Sequence, residues 1–362
     1  MALSPKDRQY MRRALILARK GMRKVSPNPM VGAVIVRAQE VIAEGYHRRF
    51  GADHAEIDAI KRAMGGIKGA TIYVNLEPCC HWGKTPPCAD VLIKEGIRRV
   101  VIGTLDPNPL VNGKGAEILR EHGVEVEVGI LEKEARRLNE VYFKYIRTGL
   151  PFVTIKYAQS LDGRIATSQG DSRWISSERS RRFAHRLRAQ HDAVMVGIGT
   201  ALADDPLLTV RWTKGKNPLR IVLDSQLRIP LNAQVLREGG DTLIVTTDRH
   251  NKEKCKKIKK MGKEVLVTQR GEDGWVELKS LLKALAARGI PSILVEGGRK
   301  VITSLLKEGL ADRMVIITAP LILGKGVEGI NDLGINDLKK AIRPSSYKVR
   351  RMGADMVFDL RL

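Results

Sequence analysis

The sequence predicts two α/β domains in one chain. Short apolar runs such as Val31 to Val36 alternate with amphipathic segments of helical period, which is the pattern of layered sheets covered by helices. The length of 362 residues corresponds to two domains at roughly 100–200 residues each. A glycine–proline stop at Gly149-Leu150-Pro151 interrupts the alternation. We therefore expect one domain over residues 1–148 and a second over residues 149–362.

The first half begins with an amphipathic helix over residues 6–21, closed by Gly21. Apolar runs after it predict strands, and periodic segments between them predict helices. The predicted strands cover residues 31–36, 70–76, 99–103 and 124–128, and the helices cover 52–64, 89–95, 115–122 and 132–147. This alternation favours an α/β sheet with helices against it.

The second half restarts with an apolar run and repeats the alternation with longer spacers. Its predicted strands cover residues 152–158, 193–197, 219–223, 242–246, 264–267, 292–295, 313–318 and 355–360. Its predicted helices cover 177–189, 251–261, 275–288 and 298–308. The two halves show no internal repeat, so we expect two different α/β domains.

The composition excludes several classes of protein. With 43% hydrophobic and 28% charged residues the chain is globular in type, and it has no apolar window long enough for a membrane span and no signal peptide. Four cysteines do not form a disulfide framework, and three of them lie within residues 79–88, which favours a metal or catalytic role in a cytoplasmic protein.

The net charge of +23 favours anionic partners, either nucleic acid or phosphorylated small molecules. The densest basic run, residues 252–263, is typical of one exposed helix face. Aromatic residues make up only 4% of the chain, too few for an obvious base-stacking platform. A nucleic-acid partner is therefore the less favoured interpretation, and we expect a homo-oligomer that acts on a small phosphorylated substrate.

Three short motifs in the first half predict a zinc site. His54 begins a predicted helix, Cys79 follows a predicted strand, and Cys88 opens the next helix. One imidazole and two thiolates suit zinc, and three protein ligands leave a fourth position for the water of a catalytic site. Glu56 lies two residues from His54 and could move protons there. A closed structural site with Cys80 or His81 as a fourth ligand is the alternative.

These motifs match the first part of the signature of zinc nucleobase deaminases, His-x-Glu followed by Pro-Cys-x-x-Cys. The second part differs, because eight residues separate Cys79 from Cys88. In the second half, the complete glycine pattern of a Rossmann fold does not occur. Gly297-Gly298, after a strand and before a helix, is the stronger phosphate-binding candidate, and Gly197 to Thr200 also follows a strand.

The chain resembles the family of bifunctional riboflavin-biosynthesis deaminase–reductases. The matching segments of the first half are residues 26–33, 45–47, 54–56 and 77–88, and those of the second half are residues 156–164, 174–176, 187–189, 199–211 and 296–298. The resemblance implies a cytidine-deaminase-like three-layer α/β/α domain followed by a dihydrofolate-reductase-like α/β domain. It covers essentially the whole chain.

In the first domain, the resemblance implies that zinc is bound by His54, Cys79 and Cys88 and that Glu56 is the catalytic proton shuttle. It also implies that the pyrimidine substrate is held by Asn28, His47 and Lys84. Cys80 stands where the family commonly has serine, so a second thiol competes with Cys79 as ligand. The Pro-Cys spacing favours Cys79.

In the second domain, the resemblance implies NADPH contacts at Ala158, Trp174, Thr200, Asp204, Ser225, Gly298, Arg299, Lys300, Val301, Ile302, Thr303 and Ser304. It implies substrate contacts at Ser172, Arg188, Leu208, Arg211 and Glu296. Arg188 and Arg211 are natural phosphate clamps, because a guanidinium can donate two parallel hydrogen bonds. Lys156 and Asp204 are candidates for proton transfer to the sugar or for orienting it.

The resemblance implies two successive reactions. Hydrolytic deamination of 2,5-diamino-6-(5-phosphoribosylamino)pyrimidin-4-one gives the aminouracil, and NADPH then reduces its ribosyl group to ribityl. A second hypothesis is a zinc-dependent RNA (tRNA) base deaminase with a basic accessory domain, which the charge supports. A third, a zinc-stabilised binding protein, leaves Glu56 unexplained.

Overall fold

A computed structural model describes residues 4–82, 86–237 and 239–362, and the chain divides into two units, Met1–Gly149 and Leu150–Leu362. Both units are α/β, as the sequence predicts. Within the described residues, no helix is both long and apolar enough to cross a membrane.

A five-stranded sheet forms the centre of the first unit. Its strands are β1 (Gly32–Arg37), β2 (Glu40–Tyr46), β3 (Thr71–Val74), β4 (Arg99–Ile102) and β5 (Glu125–Val128), in the order β2-β1-β3-β4-β5. Strand β1 is antiparallel to β2 and β3, whereas β3, β4 and β5 are parallel. The helices are α1 (Pro5–Ala18), α2 (Ala55–Ile60), α3 (Cys88–Lys94), α4 (Lys114–Glu121), α5 (Glu132–Leu138) and α6 (Glu140–Thr148).

Alternate residues of these strands build two apolar layers, one on each face of the sheet. Ile72 and Ile102 pack with residues of α2, α3 and α4, whereas Tyr73 and Val101 pack with residues of α1 and α5. The first unit is therefore the predicted three-layer α/β/α domain. Gly32 allows the close approach of α1, since a Cβ there would lie 2.2 Å from the carbonyl oxygen of Ala14.

A nine-stranded sheet forms the centre of the second unit. Its strands are β6 (Phe152–Gln159), β8 (Ala193–Gly197), β9 (Leu219–Leu223), β10 (Thr242–Thr246), β11 (Glu264–Val267), β12 (Ser292–Glu296), β13 (Arg313–Thr318), β15 (Ser346–Met352) and β16 (Asp355–Arg361). The order is β11-β10-β9-β8-β12-β6-β13-β16-β15, and the first seven strands in this order are parallel. A separate pair joins β7 (Arg164–Thr167) to β14 (Gly326–Glu328).

Helices cover both faces of this larger sheet. They are α7 (Glu178–Gln190), α8 (Ile198–Asp204), α9 (Gln234–Arg237), α10 (Lys252–Lys260), α11 (Leu278–Ala287) and α12 (Arg299–Lys307). Residues of α11 and α12 pack on one face with Ile155 and Val295, and residues of α7, α8 and α10 pack on the other with Val194 and Val222. The carboxyl ends of the parallel strands therefore lie between helices of the two layers. In α/β folds, ligands bind at this end of the strands.

The sequence did not predict strands β2, β7, β14 and β15 or helices α8 and α9. Strand β15 is charged and exposed because it lies at the edge of the sheet and pairs only with β16 among the described strands, so it lacks the apolar pattern of a buried strand. The predicted helix over 132–147 is two helices, α5 and α6. They are separated at the buried Asn139, whose side-chain amide exchanges two hydrogen bonds with the backbone of Met30.

Candidate active sites

Three elements of the first unit converge on one point. Helix α2 begins directly after His54, the chain leaves β3 through Cys79, and helix α3 opens with Cys88. The side-chain atoms of these three residues that could bind a metal all lie within 4.8 Å of one another. His54 Nδ1 is 3.3 Å from Cys88 Sγ and 3.5 Å from Cys79 Sγ.

This donor set fits zinc. Tetrahedral zinc bonds of about 2.1 Å to nitrogen and 2.3 Å to sulfur separate the two ligand atoms by about 3.6 Å. The two observed N···S separations, 3.3 and 3.5 Å, are close to that spacing. Cys80 does not belong to this group of ligand atoms, and its Sγ donates to the carbonyl oxygen of Leu110 at 3.5 Å.

The cysteine pair differs in acidity. The hydrogen bond between Cys79 and Cys88 lowers the pKa of Cys79 well below its usual value and raises that of Cys88. The hydrogen bond with Cys79 raises the pKa of His54 to about 9. The backbone N–H of Cys88, at the start of α3, also donates to Cys79 Sγ at 3.3 Å, which favours the thiolate there.

A cavity of about 380 Å³ opens beside this cluster. Glu56 lines it together with His54 and Cys79, and its side chain is only 3% exposed. Burial raises the pKa of Glu56 to about 7, so the carboxyl group is set to exchange protons near neutral pH. The structure thus brings together all four residues that the sequence assigned to zinc and proton transfer.

Two of the three residues predicted to hold the substrate line the same cavity. Asn28 Nδ2 is 3.4 Å from His47 Nε2, and His47 Nδ1 is 2.9 Å from the carbonyl oxygen of Asp53. Burial lowers the pKa of His47, which favours the neutral imidazole. Lys84, the third, lies outside the residues that the structure describes.

Several polar residues of this site were not predicted from the sequence. Asp106 and Tyr142 line the cavity and are joined by hydrogen bonds of 3.0 and 3.2 Å, and burial raises the pKa of Asp106 to about 6. Glu77 accepts hydrogen bonds from the backbone N–H groups of Asp106, Gly113 and Ala116 and so fixes that loop. Glu77 could have been identified from the sequence, because it is an acidic residue directly before Pro78-Cys79. No local sequence feature identifies Tyr142.

A second cavity, of about 460 Å³, lies in the second unit at the ends of β6, β8 and β12. Eleven of the residues predicted for the reductase line it: Lys156, Ala158, Ser172, Trp174, Arg188, Thr200, Asp204, Leu208, Arg211, Glu296 and Gly298. Ser225 and residues 299–304 do not line it. Ser225 is buried and binds Val276 N through Oγ, and Thr303 Oγ1 donates to Arg299 O within α12.

A buried ion pair forms the floor of this cavity. Arg188 donates to both carboxylate oxygens of Glu296, at 2.5 and 2.9 Å, and to the carbonyl oxygen of Thr209 at 3.0 Å. Lys156 Nζ is 4.0 Å from Glu296 Oε2. Burial acts to raise the pKa of Glu296, but Arg188 outweighs it and the pKa falls to about 2, whereas burial lowers the pKa of Lys156.

These contacts separate the two arginines that the sequence treated alike. Arg188 is committed to Glu296 and Thr209 and is not free to clamp a phosphate with both edges of its guanidinium. Among the described residues, the guanidinium of Arg211 makes no hydrogen bond or ion pair, and it lies at the wall of the same cavity. Of these two arginines, Arg211 is therefore the one available to an anionic group.

The turn after β12 fits a phosphate-bearing cofactor. Gly297 and Gly298 have φ values of +76° and +83°, in the left-handed region that favours glycine. A Cβ at Gly298 would lie 3.4 Å from Thr200 Oγ1, so the glycine keeps the space beside Thr200 open. Helix α12 starts directly after this turn, and its first backbone N–H groups are the kind that bind phosphate.

Family models match both units. The "Cytidine and deoxycytidylate deaminase zinc-binding region" matches residues 4–104, and the "RibD C-terminal domain" matches residues 151–358. The riboflavin biosynthesis protein RibD of Aquifex aeolicus is 47% identical over 97% of both chains. That of Escherichia coli is 39% identical over 98% of this chain and 99% of its own.

Solved structures agree with these matches over nearly the full length. RibD of Acinetobacter baumannii is 36% identical, covers 98% of both chains and superposes with a TM-score of 0.87. The Thermotoga maritima diaminohydroxyphosphoribosylaminopyrimidine deaminase/5-amino-6-(5-phosphoribosylamino)uracil reductase is 38% identical over 98% of both chains, with a TM-score of 0.84. The resemblance therefore extends through both cavities.

Proposed function

The chain belongs to the RibD family of bifunctional riboflavin-biosynthesis enzymes, and from this premise we propose which of its residues perform each reaction and on which substrate. It is an enzyme with a zinc-dependent deaminase activity and an NADPH-dependent reductase activity. We assign the deaminase to residues 1–148 and the reductase to residues 149–362. An RNA deaminase is not favoured, because the family match continues through the entire second half.

The two activities act in sequence on one phosphorylated pyrimidine. The first converts 2,5-diamino-6-(5-phosphoribosylamino)pyrimidin-4-one and water to the aminouracil and ammonia. The second reduces the ribosyl group and gives 5-amino-6-(5-phosphoribitylamino)uracil. The name of the Thermotoga maritima relative contains both activities, and its reductase part names the aminouracil as substrate, which supports this order of reactions.

In the deaminase, His54, Cys79 and Cys88 would hold the zinc ion, and the close grouping of their ligand atoms carries this assignment. Bound zinc lowers the pKa of a water molecule and makes hydroxide available near neutral pH. Glu56 would accept a proton from the attacking water and return a proton to the departing amine. Asn28 and His47, which line the same cavity, hold the pyrimidine, and Lys84 is assigned to the substrate by resemblance.

In the reductase, Arg211 binds the substrate phosphate, and Ser172 and Leu208 lie beside the substrate. The residues assigned to the cofactor are Ala158, Trp174, Thr200, Asp204 and Gly298. NADPH supplies the hydride when bound. Glu296 holds Lys156 near the ribosyl group through the charge of its carboxylate. Lys156 would supply the proton to the ring oxygen that is released from C1′ when the ribosyl group is reduced there. Ser225 and residues 299–304 are assigned to the cofactor by resemblance alone.

We propose that the enzyme acts in the cytoplasm, since its metal cluster needs reduced thiols. A homo-oligomer is supported by the edge strand β15, where Tyr347 is 67% exposed. The positive charge serves the phosphorylated substrate and cofactor, and no nucleic-acid partner is proposed.

The experiment is product mass after incubation of zinc-loaded protein with the diaminopyrimidine ribosyl phosphate, with and without NADPH. Deamination alone without NADPH, and the deaminated ribityl product with it, would establish both activities and their order. No conversion in either sample, with zinc confirmed by metal analysis, would contradict the proposal and make tRNA the next substrate to test.

A further inference from the structure

The segment Leu207–Arg211 carries two of the proposed substrate contacts but has no regular secondary structure. Side chains from elsewhere hold its backbone. Arg220 binds the carbonyl oxygen of Leu207, Arg188 binds that of Thr209, and Asn217 accepts from Val210 N. The last bond runs from Arg211 N to His185 Nδ1, at 3.0 Å. The position of Arg211 therefore depends directly on a histidine of another element.

His185 lies on the face of α7 that lines the cavity, together with Arg181 and Arg188, which are four residues before it and three after it. Its side chain is only 5% exposed. The imidazole stacks on Trp212, the residue after Arg211, with ring centroids 5.1 Å apart and planes at 29°. One ring thus contacts both the backbone of Arg211 and the side chain that follows it.

The protonation state of His185 follows from these contacts. Because Nδ1 accepts the Arg211 N–H, the proton of the neutral ring is assigned to Nε2. Burial first, and then the charges of Arg188 and Arg211, lower the pKa of His185 to about 4; Lys156 acts in the same direction and Glu296 in the opposite one. The ring therefore stays an acceptor at neutral pH.

We propose that His185 is a positioning residue for the reductase, which fixes the Arg211 backbone so that the Arg211 guanidinium points to the phosphate of the ribosyl substrate. This inference rests on the proposed function, because it takes Arg211 as the phosphate ligand. It explains how the backbone of Arg211 is held at the cavity wall although its guanidinium has no hydrogen-bond partner among the described residues. A buried histidine that only filled space would not need an acceptor directed at this N–H group.

The test compares two polar variants that differ in reach. The amide of asparagine occupies the position of Nδ1, whereas that of glutamine occupies the position of Nε2 and does not reach Arg211 N. We expect His185→Gln to raise the KM for the phosphorylated aminouracil about tenfold, with the KM for NADPH within about twofold of wild type. His185→Asn restores the KM of the wild type. The dephosphorylated aminouracil shows no difference among the three proteins.

Two reference variants make the outcomes distinguishable. Arg211→Ala should raise the same KM at least as much as His185→Gln, and combining the two should add little. Arg182→Ala, on the exposed face of α7, is the matched control. Deaminase activity and the thermal unfolding curve report folding, and His185→Leu replaces the glutamine variant if that does not fold.

Each result decides one assignment. If Arg211→Ala leaves the KM for the phosphorylated substrate unchanged, the proposed phosphate contact fails, whatever His185 does. If Arg211→Ala raises it but His185→Gln does not, the positioning role is overturned. Equal losses for the phosphorylated substrate, the dephosphorylated substrate and NADPH would also overturn it, because they indicate a general structural role.

Discussion

Glu296 receives two hydrogen bonds from Arg188, at 2.5 and 2.9 Å, and its second oxygen lies 4.0 Å from Lys156 Nζ. All three side chains are at most 15% exposed. One carboxylate thus balances two cations in the cavity of the second unit. The energetic consequence is asymmetric, because removing one partner of a buried pair leaves an uncompensated charge.

Replacing this carboxylate should disable the reductase alone. Glu296→Gln keeps the shape of the side chain but leaves Arg188 and Lys156 without a counter-charge. Arg188 is then less well held for its hydrogen bond to Thr209, and the Lys156 ammonium loses the carboxylate that positions it. We expect NADPH oxidation to fall at least about 100-fold with deamination unchanged. Glu328→Gln, which breaks an exposed pair with Arg164, is the control and should keep full activity. Comparable reductase rates in the two variants would contradict the assignment.

Glu56→Gln should separate metal binding from proton transfer. The variant retains His54, Cys79 and Cys88, so its zinc content should equal that of the wild type. Deamination should fall by about 10²–10⁴-fold because the amide cannot accept a proton. Metal analysis and ammonia release measure the two effects, and reduction of preformed aminouracil shows that the second unit is intact. Full deamination by this variant would exclude Glu56 as the shuttle.

The adjacent cysteines should differ in zinc binding. Cys79→Ser should lose zinc and deaminase activity, because its Sγ lies in the cluster with His54 and Cys88. Cys80→Ser should keep both, since that thiol contacts Leu110 O instead. Zinc measured after gel filtration decides between them. Loss of zinc in the Cys80 variant would show that the cluster requires the second thiol.

The stability of the first unit should depend on pH through Asp7. Burial acts to raise its pKa, but hydrogen bonds from Arg99, Tyr73 and Ser4 hold the pKa well below its usual value. A carboxyl group with a depressed folded-state pKa stabilises the fold above its unfolded pKa and loses this contribution as the pH falls toward the folded value. We therefore expect Asp7→Asn to lower the free energy of unfolding of the first unit by about 3 kcal/mol at pH 7.

The difference in the free energy of unfolding between wild type and Asp7→Asn should become smaller below about pH 4. Urea unfolding followed by circular dichroism at several pH values measures it. Asp90→Asn is the control, since Asp90 is an exposed carboxylate in the first turn of α3. A difference independent of pH would indicate that Asp7 contributes only packing.

The sequence predicted the alternating elements well where strands are buried. Strand β15 was not predicted because this exposed edge strand carries charges on both faces. Helices α5 and α6 were predicted as one helix because the helical spacing of apolar residues continues through Asn139. The bond that separates those helices goes to Met30, more than a hundred residues away in the chain. Local patterns cannot contain such a contact.

By itself, the sequence determined the two α/β units and, through its resemblance to a known family, indicated candidate residues for both sites, because motifs at the ends of strands and the starts of helices are local in the chain. Only the tertiary structure decided which of the candidate side chains face each site and which partners they bind. It turned Cys79 and not Cys80 toward His54, engaged Arg188 with Glu296 while leaving Arg211 available, and placed His185 against the Arg211 backbone. These outcomes depend on the packing of segments distant in sequence, which sets the direction of each side chain.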